Sequence, residues 1–316
     1  MDWQPLVPFE PIRTEKAPSG DQWIGQVKWD GTRILTYASG GTVRLFNRKG
    51  HERTLQYPEL LHLSSYCNAE SVILDGEVIA LAEGRPNFQE VMRRDSVRKS
   101  QHLAQVQKQV PISYMVFDIL YLDGEWVTER TLRERQRLLQ ERVHGSQTVQ
   151  LVPNVPGMND LYSVMKLHKM EGIVCKDLES KYLLGGKDKR WQKMKIYNDL
   201  LAVVGGVTYR AGQVNALMLG LYDAEGRLWY IGHAGAGRFT QQMWRELTAE
   251  AAEMRLPERP FVNVPERSKD AVWIQPRLTV KVSYMEWTAG RTLRQPGLQA
   301  LVAARPDECT FAQLDG

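Results

Sequence analysis

The sequence is poor in cysteine and has no long apolar segment. Its three cysteines, Cys67, Cys175 and Cys309, are widely spaced and outside any metal-ligand spacing, which argues against a disulfide framework and against a zinc site. No stretch approaches the roughly 18 uncharged apolar residues of a membrane-spanning helix. The N-terminal MDWQPLVPFEPIRTEKAPSG carries charges and prolines where a signal peptide needs an apolar run. We therefore expect a cytoplasmic protein with no membrane partner.

Charge of one sign is not in large excess either. The sequence has 41 Lys and Arg against 37 Asp and Glu, a formal net charge of +4. This excess does not predict a wholly basic surface, so any nucleic-acid contact should be confined to a local groove. A hydrophobic content of 43% is that of a globular protein, and 316 residues are enough for two domains with separate cores.

The first two-thirds of the chain predicts an α+β domain with mainly antiparallel sheets, over residues 1–197. Short apolar or alternating runs predict strands: WIGQVK, RILTYA, TVRLF, SVILDGEVIALA, ISYMVFDILYL, TVQLV and GIVCK. Helical patterns lie between them: PNFQEVMRRDSVRKSQHLAQVQ, LRERQRLLQERV and NDLYSVMKLHKM. No internal repeat or low-complexity segment interrupts this order.

The remaining part, residues 198–316, has a different character. The strand patterns LLAVVGGVTYR, NALMLGLYD and RLWYIGHAG follow one another closely, then come the helical TQQMWRELTAEAAEM and the strands AVWIQ and LTVKVSYMEW. About five strands with one interposed helix predict a small Greek-key β-barrel such as an OB-fold.

The segment GQVKWDGTRIL raises the first question of chemistry. Asp30-Gly31 between alternating apolar residues predicts a hairpin turn, beside which Lys28 either points into solvent or faces a site. A nucleophilic lysine needs a lowered pKa, which nearby cations provide. Lys193 and Lys195, alternating on one face of a predicted strand, are candidates, although such a pair also suits a solvated strand face.

Three other side chains stand out in predicted strands. Glu77 follows a second Asp-Gly in an apolar strand, where a buried carboxylate needs a partner. Glu171 follows a helical pattern and either reaches a cleft or simply ends the helix before Gly172. Phe117 is by default a core residue.

The order of these segments resembles the motifs of the covalent nucleotidyltransferases. In chain order they are KWDGTR (28–33), FNRKG (46–50), DGE (75–77), FD (117–118), EGIVCK (171–176) and WQKMK (191–195). Further on, YIGHAGAGRFT and VKVSYMEWTAGRTLRQP are similar to OB-domain signatures of ATP-dependent DNA ligases, especially the bacterial end-joining type. The resemblance covers about residues 5–310 and implies a nucleotidyltransferase (adenylation) domain followed by an OB-fold barrel.

The resemblance implies a role for each matched residue. Lys28 would attack the α-phosphate of ATP to give lysyl-AMP, and the AMP would then activate a DNA 5′-phosphate for attack by a 3′-hydroxyl. The other nucleotide contacts it implies are Glu77 on the ribose, Phe117 on adenine, Lys193 and Lys195 on the α-phosphate, and Glu171 on a divalent metal. Mg²⁺ is the expected metal, with Mn²⁺ as an alternative.

Further residues are matched to DNA and to the leaving pyrophosphate. Arg33 and Arg48 would contact the nick phosphate or its adenylate, and Asp30 would lie near the 3′-hydroxyl. In the barrel, Arg294 would orient the β- and γ-phosphates of ATP, with Arg291 as the alternative. The expected partner is nicked double-stranded DNA at the nucleoid, with Ku or other repair proteins as further candidates, and the expected state is a monomer.

Two positions depart from the family pattern, and rival functions stay open. Gln26 stands where many relatives have Glu, and FNRKG keeps its arginine only if Arg48 is the match.

A cluster of basic residues in a helical pattern suits either DNA phosphates or a solvated helix face: Arg93, Arg94, Arg98 and Lys99. The alternatives are an RNA ligase, a capping-type guanylyltransferase and a non-catalytic nick- or end-binding module. We expect no room for a polymerase or nuclease domain, and hence a ligase that acts alone or beside partners.

Overall fold

The computed structural model describes residues 4–82, 84–266 and 268–314. Two compact units divide the chain, Met1–Ile196 and Tyr197–Gly316, against an expected boundary between residues 197 and 198. Within the described residues, no helix is both long enough and apolar enough to cross a membrane.

The first unit is built from two sheets. Its strands are β1 (Ile12–Arg13), β2 (Trp23–Val27), β3 (Thr32–Ser39), β4 (Thr42–Asn47), β5 (Ser71–Ala82), β6 (Arg85–Pro86), β7 (Ile112–Leu122), β8 (Glu125–Trp126), β9 (Val149–Leu151), β10 (Gly172–Asp177) and β11 (Trp191–Lys195). The smaller sheet has the order β1-β11-β10-β2. The larger has the order β4-β3-β5-β7-β8, with β6 on β5 and β9 on β7. Only β1–β11 and β7–β9 pair in parallel among the described strands of this unit, which agrees with the expected antiparallel character.

The predicted hairpin turn at Asp30-Gly31 is wrong. β2 belongs to the smaller sheet and β3 to the larger, so residues 28–31 cross from one sheet to the other. Gly31 is needed for close packing, because a Cβ there would lie 2.1 Å from the carbonyl oxygen of Val78. An Asp-Gly hairpin turn occurs instead at Asp123-Gly124, which joins β7 to β8 and has φ values of 44° and 98°.

The helices of the first unit are α1 (Phe88–Asp95), α2 (Ser100–Gln109), α3 (Leu132–Arg142) and α4 (Met158–Leu167). The single helix expected over the PNFQEVMRRDSVRKSQHLAQVQ segment is therefore two helices. The expected basic face there is also wrong for Arg94, which is fully buried and pairs with Glu59 at 2.6 Å. Arg93 lies on the surface and pairs with Glu90.

In its described residues, the second unit is a closed barrel with one α-helix, α5 (Gln241–Glu253). Its strands are β12 (Asn198–Arg210), β13 (Gln213–Tyr222), β14 (Leu228–Ala234), β15 (Ala271–Trp273), β16 (Thr279–Tyr284) and β17 (Gly297–Val302). They follow the order β14-β13-β12-β16-β17, with β15 on β12. A parallel bridge between Gly237 and Leu298 joins the end of β14 to β17 and closes the sheet, as an OB-fold requires.

Gly237 permits that closure. Its φ is +145°, and a Cβ there would lie 2.0 Å from the carbonyl oxygen of Leu298. The backbone of β17 bonds to both flanks of this glycine, since Leu298 N donates to Ala236 O and Arg238 N donates to Leu298 O. Gly237 of the YIGHAGAGRFT segment therefore has a structural role in the barrel.

Candidate active site

One face of the smaller sheet forms the floor of a cleft. In the register of β10, Val174 lies opposite Gln26 of β2 and Lys193 of β11, and Lys176 lies opposite Trp191. Alternate residues of a strand share a face, so the floor carries these five side chains together.

Lys28 stands at the end of this floor. Its backbone N–H donates to the carbonyl oxygen of Gly172 at 2.9 Å, which extends the β2–β10 pairing by one residue beyond Val27. The β2 strand, rather than a hairpin turn, therefore sets the position of Lys28.

The larger sheet supplies the opposite wall of the cleft. Arg33 on β3 is paired in register with Glu77 on β5, and Phe117 projects from β7. These three residues line the same cavity as Lys28 and Lys193. The fold thus brings together Lys28, Arg33, Glu77, Phe117 and Lys193, which come from five separate strands or connections.

Glu171, the residue before β10, forms ion pairs with two lysines. One carboxylate oxygen contacts Lys28 Nζ and the other lies 2.9 Å from Lys195 Nζ. The Glu171 side chain is only 5% exposed and that of Lys28 is 21% exposed. The carboxylate therefore holds two ammonium groups side by side in a mostly buried setting, where charges interact more strongly than in water.

Lys193 adds a third positive charge to this group. Burial, together with the charges of Lys28 and Lys195, lowers the pKa of Lys193. Like charges placed close together disfavour the protonated amine. Lys193 and Lys195 thus lie near Lys28, and the nucleophilic role of Lys28 stays a prediction.

Glu77 is held in a less polar setting. Burial raises the pKa of Glu77 to about 8, although the charges of Lys28 and Arg33 act in the opposite direction. At neutral pH its carboxyl group is therefore mostly protonated and is able to donate a hydrogen bond as well as accept one.

Arg33 is directed into the protein. Its guanidinium forms a two-pronged pair with Asp75, at 2.8 and 2.6 Å, and donates to the carbonyl oxygen of Phe9 at 2.6 Å. Tyr182 donates its hydroxyl to the same Asp75 at 2.7 Å. The DNA contact expected for Arg33 stays a prediction, and in the structure this side chain builds the cavity wall.

Phe117 and Trp191 enclose a buried lysine. Their rings meet edge to face with centroids 6.1 Å apart, and Lys176 Nζ lies 4.3 Å and 3.8 Å from the two ring centres. Burial lowers the pKa of Lys176 to about 7, against the opposing effects of Asp118 and Asp75. Its Nζ has no hydrogen-bond partner among the described residues.

Sequence reasoning assigned no role to Trp191 and Lys176. For Trp191 the signal was present in the spacing, because it lies two residues along the strand from Lys193, whereas Lys176 is recognised only through Val174, which the structure shows in the cleft.

Three other expected site residues have different surroundings. Arg48 lines the cavity rim, is 56% exposed and pairs with Glu10 at 3.2 Å. Asp30 lies in the crossing segment, partly exposed. Arg294 belongs to the second unit, where it pairs with Glu286 at 2.6 Å and its backbone N–H donates to the Glu286 carbonyl oxygen.

The acidic side chains described in the cleft would hold a metal ion only together with the phosphates of a bound substrate. Among the described residues there is no cluster of three or more His, Cys, Asp or Glu side chains that could hold a metal ion. Glu171 supplies one hard carboxylate, and Mg²⁺ commonly binds through one or two carboxylates plus substrate phosphates and water. The donor set therefore suits a metal that arrives with phosphate.

Comparisons with known proteins agree with this arrangement. A family model described as ATP dependent DNA ligase domain matches residues 9–195, and one described as ATP dependent DNA ligase C terminal region matches residues 210–308. The multifunctional non-homologous end joining DNA repair protein LigD of Mycobacterium tuberculosis is 30% identical over 298 residues, which cover 91% of this chain and 36% of that protein. The chain thus spans about a third of the length of this curated relative.

Solved structures give the same result. The crystal structure of the ligase domain from M. tuberculosis LigD is 27% identical, with a TM-score of 0.55, over 98% of this chain and 99% of that chain. A mycobacterial DNA ligase D complexed with ATP and MES is 28% identical, with a TM-score of 0.53 and the same coverage. The fold class expected from the sequence, a nucleotidyltransferase domain with antiparallel sheets and a C-terminal OB-fold barrel, is confirmed.

Proposed function

We propose that this chain, which belongs to the ATP-dependent DNA ligase family, seals 3′-hydroxyl/5′-phosphate nicks in duplex DNA through an AMP adduct on Lys28. The observation that carries the proposal is the contact of one buried carboxylate, Glu171, with both Lys28 and Lys195. A nucleotide-binding module without chemistry has no evident use for a lysine placed in this way among further cations.

In the first step, the neutral amine of Lys28 attacks the α-phosphorus of ATP. A phosphorus–nitrogen bond forms, the bond to the β-phosphate oxygen breaks, and pyrophosphate leaves. Lys193 and Lys195 neutralise charge on the α-phosphate. The fixed strand positions of these lysines hold the reacting atoms in line.

The nucleoside lies against the cavity walls. Phe117 stacks on the adenine, and Glu77 contacts the ribose hydroxyls with a carboxyl group that both donates and accepts. Glu171, with phosphate oxygens and water, would hold Mg²⁺ or Mn²⁺. A bound divalent cation supplies charge neutralisation to the phosphates during the transfer.

The remaining steps use DNA as the substrate. The 5′-phosphate oxygen at the nick attacks the phosphorus of lysyl-AMP and displaces Lys28, and the 3′-hydroxyl then attacks the activated 5′-phosphate and displaces AMP. Arg48 and Arg33 are the proposed phosphate contacts, of which Arg48 is the more exposed. Asp30 is proposed to lie near the 3′-hydroxyl.

The biological setting is proposed from the relatives' names. The mycobacterial relatives are called non-homologous end joining proteins, so we place this chain in double-strand break repair at the nucleoid. A DNA-end-binding protein such as Ku is a candidate partner, and we expect the ligase to act as a monomer.

The test is a nick-sealing assay with ATP and Mg²⁺ on a labelled nicked duplex. We expect the parent protein to convert the nicked strand to full length, Lys28→Ala to seal none, and the exposed control Lys181→Ala to match the parent. Nick binding without sealing by the parent protein would favour a non-catalytic module. Sealing confined to an RNA strand, or label transfer from GTP alone, would favour the RNA ligase or capping alternatives.

A further inference from the structure

Gln26 is a buried side chain on the floor of the cleft. It lies two residues before Lys28, is only 2% exposed and lines the cavity beside Phe117 and Val174. An amide there has two faces of opposite hydrogen-bonding character, an acceptor oxygen and a donor NH₂ group. Which of them faces the cavity decides which base edge the cleft accepts.

Three side-chain amides linked by hydrogen bonds fix which group of Gln26 faces the cavity. Gln26 Nε2 donates to Asn154 Oδ1 at 2.7 Å, Asn154 Nδ2 donates to Gln136 Oε1 at 3.0 Å, and Gln136 Nε2 donates to the backbone carbonyl oxygen of Phe117 at 2.8 Å. We call Gln26, Asn154 and Gln136 the amide relay.

The polarity of the amide relay follows from its last member. A backbone carbonyl only accepts hydrogen bonds, so Gln136 must turn its NH₂ group toward Phe117 and its oxygen toward Asn154. Asn154 must then turn its oxygen toward Gln26, and Gln26 must donate. The Gln26 Oε1 atom is left as an acceptor, and no described residue donates a hydrogen bond to it.

Neighbouring structure keeps the relay in place. Val155, next to Asn154, exchanges two backbone hydrogen bonds with Gly25, at 2.7 and 2.9 Å. Arg135, next to Gln136, forms a fully buried two-pronged pair with Asp118, the residue after Phe117. Each amide is thus tied to its strand or helix through an adjacent residue.

We propose that Asn154 and Gln136 are positioning residues that set nucleotide choice by holding Gln26 Oε1 toward the cavity as an acceptor. This inference rests on the proposed function, in which the base of a nucleotide enters beside Phe117. An acceptor at this point matches the 6-amino group of adenine. It opposes the 6-oxo group of guanine or hypoxanthine, which is itself an acceptor, and a buried pair of acceptors is costly.

The relay also accounts for an amide where many relatives have a carboxylate. A carboxylate accepts on both oxygens and needs no orientation, whereas glutamine accepts on one side only. Gln26 therefore depends on Asn154, and a glutamate at the same position would not. This difference gives the inference its test.

The test compares ATP with ITP, which differs from it at the 6-position of the base. Dissociation constants are measured by calorimetry in EDTA, so that no adenylation occurs, for the parent, Asn154→Ala, Gln26→Glu and the double variant. We expect Asn154→Ala to lower the ITP/ATP ratio of dissociation constants at least about tenfold, because the freed Gln26 amide is able to turn its NH₂ group to a 6-oxo base. The double variant should recover the parent ratio.

Two further variants test whether a change in the ratio of dissociation constants comes from the relay itself. Gln136→Met breaks the relay at its far end with similar side-chain length, so it should lower the ratio even if Asn154→Ala does not fold. The exposed Asn159→Ala, on the same stretch of chain, should leave it unchanged. An unchanged ratio in both relay variants, or a lowered ratio that Gln26→Glu does not restore, would overturn the inference.

Failure of this inference is distinguishable from failure of the proposed function. A parent protein that prefers ATP to ITP in the binding experiment, yet seals no nick, would leave the relay intact and contradict the ligase proposal. If the parent protein seals nicks and the Asn154→Ala variant keeps the parent's preference for ATP over ITP, the relay inference is contradicted and the ligase proposal is not.

Discussion

The two units of the molecule differ in what they bury. The charged residues with buried positions in the described chain all belong to the first unit: Asp75, Arg94, Asp95, Asp118, Arg135 and Lys176. In the described part of the barrel, the buried polar residues are Thr279 and Ser283 alone, within an otherwise apolar core. The first unit therefore bears a large desolvation cost, which the barrel avoids.

The two units fix their shapes by different interactions. In the first unit, buried ions and amides fix the walls of the cleft: Asp75 holds Arg33, and Asp118 holds Arg135 beside the amide relay. In the barrel, shape is set by apolar packing and by close backbone approaches such as that of Gly237 to Leu298.

The largest effect is expected from breaking the Asp118–Arg135 pair. Both side chains are fully buried, so Arg135→Leu leaves an uncompensated carboxylate and should lower the free energy of unfolding by about 3–5 kcal/mol. Urea denaturation measures this loss. Arg137→Ala, an exposed position on the same helix, is the control and should change stability little. A loss below about 1 kcal/mol for Arg135→Leu would show that the pair is not what holds this wall.

In the barrel, the corresponding change is Gly237→Ala. The added Cβ meets the Leu298 carbonyl oxygen, and the positive φ disfavours any other residue, so a loss of about 2–4 kcal/mol is expected. Gly212→Ala separates the two causes, because its φ is +80° but nothing lies within 4 Å of the added Cβ; it should lose only about 1 kcal/mol. Equal losses in both variants would contradict the close-approach explanation.

A third prediction asks whether the barrel contributes to one chemical step. If Arg294 orients the pyrophosphate of ATP, Arg294→Ala should slow self-adenylation about 10–100-fold while sparing the joining of a nick that already carries 5′-AMP. The assay compares the variant with the parent on ATP alone and on pre-adenylated nicked duplex. Arg291→Ala is run beside it as the alternative candidate. Equal losses on both substrates would reject a step-specific role for Arg294.

A fourth prediction concerns Glu77 and the pH dependence of stability. An unfolded glutamate ionises near pH 4.5, whereas the folded pKa of Glu77 is about 8, so the folded state holds the extra proton between these values. Stability contributed by this group therefore falls as pH rises from about 4.5 to 8. Glu77→Gln removes that loss, so it should be more stable than the parent by an amount that is small at pH 5 and grows by up to about 1.4 kcal/mol per pH unit toward pH 8. Thermal unfolding at both pH values measures it, with exposed Glu70→Gln as control. A difference that does not grow with pH would contradict the burial of Glu77.

Much of this architecture was predictable from local sequence patterns. The strand over SVILDGEVIALA and the helix over LRERQRLLQERV are present as β5 and α3, because a continuous apolar run and a capping box act locally. The family resemblance and the ligase fold are also confirmed. The alternating placement of Lys193 and Lys195 on one strand face was likewise readable from WQKMK.

The errors and omissions arose where distant parts of the chain decide. Asp30-Gly31 carries a hairpin signal, yet its flanking strands join different sheets, and no local pattern reports which sheet a strand enters. Arg94 has the surroundings of a surface helix residue in the sequence but is buried against Glu59. The amide relay links Gln26 to Asn154, which is 128 positions away in the sequence, and Asn154 to Gln136, and only the fold brings them together. The roles of the individual cleft residues stay predictions.

The mass of the peptide that contains Lys28, after reaction with ATP, tests whether Lys28 is the nucleophile. The protein is incubated with ATP and Mg²⁺ without DNA, digested and analysed by mass spectrometry, together with Lys28→Ala, Lys28→Arg and Lys181→Ala. We predict one AMP on the peptide that contains Lys28 in the parent and in Lys181→Ala, and no adduct in the other two, since a guanidinium remains protonated. An undiminished AMP adduct in Lys28→Ala, or an adduct on a different lysine of the parent protein, would show that Lys28 is not the nucleophile.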